Sequence, residues 1–176
     1  MTTEALDDRE LAARADRGDS DAFEALYRRH RDWVVSLAWR LCGNRDDALD
    51  VLQETFAHLF GRFPGFTLTS TMRAYLYPVV KHLCISAARK RRNVVPLNGS
   101  GVEPAAPEPT HDWTPEFEGR IASLPEGHRE VLRLRFVLEM RLEDIGEALD
   151  LPLGTVKSRL HNALQSLQSK AGDPES

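Results

Sequence analysis

The sequence contains few of the residues from which disulfide scaffolds and metal sites are built. It has only two cysteines, Cys42 and Cys84, in apolar helical surroundings, and it has neither a CxxC nor an HExxH motif. Its six histidines show no metal-ligand spacing. We therefore expect no metal and no cofactor, and we interpret both cysteines as buried, reduced thiols.

The sequence also has no long apolar segment, and we expect no leader sequence at its start. The longest apolar runs are far too short to cross a bilayer, and the first residues, MTTEALDDREL, are acidic and polar. The sequence offers no nucleophile–base pair and no phosphate-binding loop. These absences predict a cytoplasmic protein that is not inserted in a membrane and is not an enzyme.

Acidic and basic residues are unevenly distributed along the chain. The net charge of −4 argues at first against a nucleic-acid partner. However, residues 69–96 carry six basic side chains and no acidic one, whereas residues 97–119 carry five acidic side chains and no basic one. A basic segment that could meet nucleic acid is therefore followed by an acidic connector.

The hydrophobic pattern predicts an all-α protein, because no alternating strand pattern extends beyond a few residues. Two small helical domains, residues 1–93 and 115–171, flank a linker over residues 94–114. The linker is rich in proline and glycine and should be flexible. Helices are expected to start near residues 7, 21, 46 and 70 in the first domain, and near residues 115, 126, 142 and 152 in the second.

Local signals define several helix ends in the first domain. Asp21 is the predicted N-cap of the second helix, with Glu24 as its capping-box partner, and Gly43 should end that helix. Pro78 falls inside the fourth helix, where an interior proline costs roughly 3 kcal/mol. We expect a kink there rather than a late start, because the apolar residues keep helical spacing across it. The inward positions predicted for the third helix are Leu52, Phe56, Leu59 and Phe60.

Residues 124–167 read as a helix-turn-helix, a layout that places its second helix in the DNA major groove. Gly146 would let the two helices approach closely, and Asp150 would take a positive φ at the turn. On the last helix, the predicted inward side is Val156, Leu160, Ala163, Leu164 and Leu167. The outward residues are small, polar or basic: Gly154, Ser158, His161, Asn162 and Gln165, flanked by Thr155, Lys157 and Arg159. Such side chains suit base edges and phosphates, although a merely solvated helix face is the alternative.

Two further patterns suggest partners for the first domain. Asp47, Asp50 and Glu54, beside Gln53, form one acidic ridge that would repel DNA and suit a basic protein partner. Several aromatic residues lie close in sequence to the basic segment: Phe63, Phe66, Tyr75 and Tyr77. Aromatic rings beside cations suit a single DNA strand. The alternatives are a solvated acidic face and a set of core aromatics.

Taken in order, these motifs resemble those of bacterial RNA polymerase sigma factors of the extracytoplasmic-function (ECF) group in the sigma-70 family. DALDVLQETF is similar to segment 2.2, TMRAYLYPVVKHLCISAARKRR to segments 2.3 and 2.4, and LPEGHREVLRLR with IGEALDLPLGTVKSRLHNAL to segments 4.1 and 4.2. The resemblance implies a transcription initiation factor that directs core RNA polymerase to promoters and assists their opening. An autonomous helix-turn-helix regulator and a helical interaction module are the alternatives.

The resemblance also implies roles for individual residues. The polymerase β′ clamp helices would bind Asp47, Asp50, Gln53 and Glu54. The single-stranded −10 element would meet the loop over residues 63–71 and the following helix, through Phe63, Phe66, Arg73, Tyr75, Lys81, Arg89, Arg91 and Arg92. The −35 duplex would meet Thr155, Lys157, Ser158, Arg159, His161 and Asn162. The resemblance further implies contact with the β flap, an anti-sigma factor, and association with the nucleoid when the protein is active.

Overall fold

The computed structural model describes residues 5–94 and 115–169, and their helices form two compact units. Within these ranges every regular element is an α-helix, which confirms the predicted fold class. The predicted linker, apart from Val94 at its start, lies outside the described residues. The first unit contains α1 (Asp8–Asp16), α2 (Ser20–Cys42), α3 (Arg45–Phe60) and α4 (Met72–Val94). The second contains α5 (Pro115–Ala122), α6 (Glu126–Phe136), α7 (Leu142–Leu149) and α8 (Leu153–Ser169).

Side-chain caps determine where the first helices begin. Asp7 caps α1 and forms a capping box with Glu10. The prediction of Asp21 as the cap of α2 is wrong, because the side chain of Asp19 accepts hydrogen bonds from the backbone of Asp21 and Ala22. Asp21 therefore lies in the first turn, where its charge favours the helix dipole. Gly43 ends α2 as predicted, in a left-handed conformation with φ of 74°.

The helix α4 continues through Pro78, so the alternative of a helix that begins late at this proline is excluded. Pro78 is exposed, while Tyr77 and Val80 on either side of it are buried. The predicted kink stays a prediction.

The core of the first unit takes fully buried side chains from all four helices. These residues are Leu11, Leu26, Val34, Leu59, Met72, Leu76 and Val80. The predicted inward position of Phe60 is wrong, because its side chain is 64% exposed. Phe60 lies at the end of α3 and makes an edge contact with Phe23, with ring centroids 5.2 Å apart.

The two cysteines, which lie 42 positions apart in the chain, meet where α2 packs against α4. Both are buried free thiols, and their sulfur atoms are 3.0 Å apart. Burial raises the pKa of both thiols, and the neighbouring Cys42 sulfur raises that of Cys84 further. The cysteine pair (Cys42 and Cys84) is thus buried as predicted, but the sequence did not indicate that the two residues would be neighbours.

The second unit is built around a small apolar cluster that joins α5, α6 and α8. Its members are Ile121, Leu124, Leu132, Ala163 and Leu167. Between α7 and α8, Asp150 adopts φ of 53° and ψ of 49°, as predicted for the turn. A Cβ atom on Gly146 would lie only 2.9 Å from the carbonyl oxygen of Leu151, so glycine is required for this close approach. Leu164, predicted to face inward, is 38% exposed and lies at the edge of the packed face.

Candidate polymerase and promoter surfaces

The acidic surface on α3 is smaller than the sequence pattern suggested. Asp50, Gln53 and Glu54 are exposed on consecutive turns, and we refer to these three residues as the α3 ridge. Asp47 differs, because its side chain is only 21% exposed and accepts a 2.8 Å hydrogen bond from the side chain of Asn44. Leu49, which is 41% exposed, adds an apolar side chain beside the acidic ones.

Two residues that the resemblance places at different sites form an ion pair with each other. The guanidinium of Arg91, predicted to meet the −10 element, lies 2.8 Å from the carboxylate of Asp47, predicted to meet polymerase. Arg91 also donates to the carbonyl of Cys42 at 3.3 Å. The pair is partly exposed, and it connects the end of α4 to the start of α3.

The other basic residues of α4 differ in exposure. Arg89 is exposed and Lys81 is half-buried, whereas the side chain of Arg92 lies outside the described residues. Arg73 lies over the ring of Trp33 on α2, with its guanidinium carbon 5.7 Å from the ring centroid. This cation–π contact brings a half-buried tryptophan to the basic surface. No sequence pattern indicated Trp33, because it lies far from Arg73 in the chain.

Aromatic residues of α2, α3, α4 and the loop that joins α3 to α4 form a continuous row, and we refer to it as the aromatic row (Phe60, Phe23, Phe63, Phe66 and Tyr75). Successive rings pack edge to face, with centroids 5.0 to 6.0 Å apart. Phe66 is buried in the middle of the row, whereas Phe63 and Tyr75 are half-buried. The structure thus places Phe66 in the core and leaves parts of its two neighbours accessible.

The predicted outward face of α8 is exposed. Gly154, Ser158, His161 and Asn162 all reach solvent, together with Gln165 and the flanking Lys157. Thr155 and Arg159 are half-buried, and the carbonyl of Thr155 accepts a hydrogen bond from the Ser158 hydroxyl at 3.0 Å. The guanidinium of Arg159 lies against Gly127, where a Cβ atom would be 2.9 Å from its Nη1 atom. Arg159 therefore covers the N-terminal turn of α6 as well as flanking the exposed face.

The described residues contain no group of His, Cys, Asp and Glu side chains that could hold a metal ion. Within the same ranges, none of the helices has the length and apolar character needed to cross a membrane.

Comparison with known proteins connects these surfaces to one family. The sigma-70 region 2 model matches residues 26–94, and the sigma-70 region 4 model matches residues 120–169. The ECF RNA polymerase sigma factor EcfG of Rhodopseudomonas palustris is 30% identical over 138 residues, which cover 76% of each chain. The chain belongs to the ECF group of the sigma-70 family. This sigma factor is a transcription initiation factor that directs bacterial core RNA polymerase to promoters, not an autonomous regulator.

One further relative is similar over most of the chain, and one solved structure has the same fold. The ECF RNA polymerase sigma factor SigW of Bacillus subtilis is 27% identical over 173 residues, which cover 89% of this sigma factor and 92% of SigW. Among solved structures, the sigma factor RpoE in complex with the anti-sigma factor NepR from Bartonella quintana has the same fold. Its TM-score is 0.58 at 24% identity, covering 86% of this chain and 98% of that one.

The matched regions divide the candidate surfaces between the two units. Region 2 contains the α3 ridge, the basic side of α4 and most of the aromatic row, and region 4 contains the exposed face of α8. The helix α1 precedes the residues that region 2 matches.

Proposed function

We propose that this sigma factor docks on core polymerase through the α3 ridge, with the β′ clamp helices as the partner. The exposure of Asp50, Gln53 and Glu54 on one side of α3 is the observation that carries this assignment. Exposed carboxylates attract a basic partner and accelerate its association. Asp47 would act mainly through its ion pair with Arg91. Its carboxylate would contact polymerase only through the part that this ion pair leaves exposed.

The −10 element is proposed to bind as a single strand on the loop over residues 63–71 and on the start of α4. Phe63 and Tyr75 are half-buried and offer partly accessible side chains on which bases could stack, while the buried Phe66 packs edge to face against both of them. The basic residues of α4 would meet the phosphates: Arg73, Lys81, Arg89, Arg91 and Arg92. Of these, Arg89 has the most open side chain among the described ones.

The −35 element is proposed to bind as a duplex on the exposed face of α8. Ser158, His161 and Asn162 would reach base edges, and Lys157 would meet a phosphate. Thr155 and Arg159 would act at the margin, because both are half-buried. Substituting Asn162 by alanine should change transcription from some −35 sequences more than from others. A uniform effect across a promoter library would assign Asn162 to the phosphate backbone instead.

Further partners follow from membership of the family. We propose that the apolar side of the second unit contacts the β flap, and that an anti-sigma factor holds this sigma factor inactive, as NepR accompanies RpoE in the Bartonella quintana complex. The protein would act in the cytoplasm, associated with the nucleoid when active, and would contribute binding and positioning without catalysing a reaction itself.

Reversing the charge of the α3 ridge tests the docking assignment. The double substitution Asp50→Lys and Glu54→Lys should weaken binding to purified core polymerase at least tenfold, or about 1.4 kcal/mol. Asp32→Lys is the matched control, because Asp32 is an exposed carboxylate on α2 with 87% of its side chain accessible. Equal dissociation constants for the unsubstituted protein, the double variant and the control would overturn the assignment.

A further inference from the structure

A helix outside the matched region holds the loop that precedes α4. The Oδ1 atom of Asp16, the last residue of α1, accepts hydrogen bonds from the backbone N–H groups of Gly65 and Phe66, at 2.6 and 2.8 Å. At the other end of α1, the guanidinium of Arg9 donates to the carbonyl of Thr69 at 3.2 Å. Both contacts connect residues about 50 to 60 positions apart in the sequence.

The Asp16 contact satisfies two backbone donors that neighbour each other in an irregular segment. Gly65 has φ of +105°, a conformation that other residues rarely adopt. Hydrogen bonds to a carboxylate are stronger than those between neutral groups. A single carboxylate oxygen therefore fixes the backbone of Gly65 and Phe66, directly before the Phe66 ring joins the aromatic row.

The position of α1 is itself fixed against α2. The carboxylate of Asp8 lies 2.8 Å from the guanidinium of Arg29 and 2.9 Å from Nε2 of the buried His30. Arg29 also donates to the carbonyl of Leu6 at 2.9 Å. The helix α1 also buries Leu11, Ala12 and Ala15. These contacts fix the position of α1, so that Asp16 at its end can hold the loop in one conformation.

We propose that Asp16 is a positioning residue for promoter opening, which pre-forms the loop that receives the −10 strand. The inference rests on the proposed −10 role of that loop. A loop that is already ordered loses less conformational freedom when the strand binds, so pre-ordering strengthens the bound state. Asp16 acts here through the backbone of Gly65 and Phe66.

The test compares holoenzymes that contain unsubstituted sigma factor, Asp16→Ala or Asp16→Asn. The probe is the non-template −10 strand of a promoter that the unsubstituted holoenzyme transcribes. Asp16→Ala should weaken binding of this oligonucleotide at least tenfold and reduce discrimination against a mismatched −10 sequence. Asp16→Asn keeps one acceptor oxygen and should give an intermediate value. Affinity for core polymerase should stay within twofold of the unsubstituted value for both variants, which also reports that they fold.

Hydrogen exchange and two control variants separate the outcomes. In Asp16→Ala the amides of Gly65 and Phe66 should exchange faster, while those of α2 keep their protection. Asp21→Ala, which removes an exposed carboxylate near Asp16 in sequence, should behave as the unsubstituted protein. If Phe63→Ala weakens oligonucleotide binding and Asp16→Ala does not, the inference about Asp16 is wrong. If neither variant weakens binding, the proposed −10 role of the loop fails with it.

Discussion

Gly146→Ala should damage the turn that positions α8, despite the higher helix propensity of alanine. The substitution adds roughly 1 kcal/mol of helix stability by propensity alone. However, the new Cβ atom would lie 2.9 Å from the carbonyl oxygen of Leu151, a backbone atom that cannot rotate away. The N–H of Leu151 also donates a hydrogen bond to the carbonyl of Gly146 at 2.8 Å. A shift of Leu151 away from the new Cβ atom would therefore disturb this hydrogen bond. Forcing an atom into such a packed site costs about 1–3 kcal/mol.

Gly119→Ala is a matched control for this prediction. Gly119 lies inside α5 of the same unit, and a Cβ atom there would meet no atom within 4 Å. The propensity gain is similar in both variants, so the difference between them isolates the cost of the close contact. We expect Gly146→Ala to be less stable than Gly119→Ala by about 1–3 kcal/mol. Its transcription from promoters that depend on the −35 element should also fall, because α8 would tilt.

Native-state hydrogen exchange of the full chain measures this difference where it arises. The slowest amides of α8 report the free energy at which the second unit opens, so the comparison does not depend on the stability of the first unit. The reasoning is refuted if Gly146→Ala raises this free energy as much as Gly119→Ala does. Such a result would mean that the turn can widen without cost and that glycine is dispensable there.

Three further predictions concern DNA contact, acid stability and thiol reactivity. Lys157→Ala should reduce the slope of log affinity against log salt by about 1 for promoter DNA bound by holoenzyme; an unchanged slope would remove Lys157 from the phosphate contacts. Burial raises the pKa of Asp8, but the hydrogen bonds and charges of His30 and Arg29 outweigh it, so the net pKa lies below the usual range. The folded pKa is thus below the unfolded one, and the stability it contributes is lost as the pH falls through the folded value. Asp8→Asn should flatten that acidic loss in urea unfolding, and an equally steep loss in the variant would contradict the assignment. Because burial raises both thiol pKa values, the cysteine pair should alkylate slowly at neutral pH in the folded protein and fast after denaturation; rapid labelling of the folded chain would contradict the buried geometry.

Features encoded over a few neighbouring residues were predictable from the sequence. Gly43 and Asp150 both end helices in the left-handed conformation, as their residue types indicated. The helix α7 begins at Leu142 as predicted, and the outward face of α8 follows from helical periodicity. The wrong prediction of Asp21 as the N-cap of α2 also concerns neighbouring residues, because Asp19, two residues earlier, is an equally suitable cap.

Features that depend on residues distant in sequence were not predictable. Asp47 belongs to the acidic pattern of α3 and Arg91 to the basic pattern of α4, yet the two side chains form an ion pair with each other. Only the packing of α3 against α4 brings these two residues together. Phe66 is likewise buried in a row of rings that includes Phe23 on α2, which lies far earlier in the chain. No sequence motif indicated the contact of Asp16 with the loop, since its partners are backbone N–H groups about 50 positions away. Sequence patterns thus predicted the candidate surfaces, whereas the structure showed which of their side chains are exposed.

Transcription reconstituted from purified components tests the central conclusion most directly. Core polymerase would be incubated with a pool of genomic promoter fragments, with and without this sigma factor, and run-off products would be separated. We predict discrete transcripts that appear only when the sigma factor is added and that share upstream sequence elements. An absence of such transcripts, combined with tight binding of the protein alone to duplex DNA and none to core polymerase, would contradict the account.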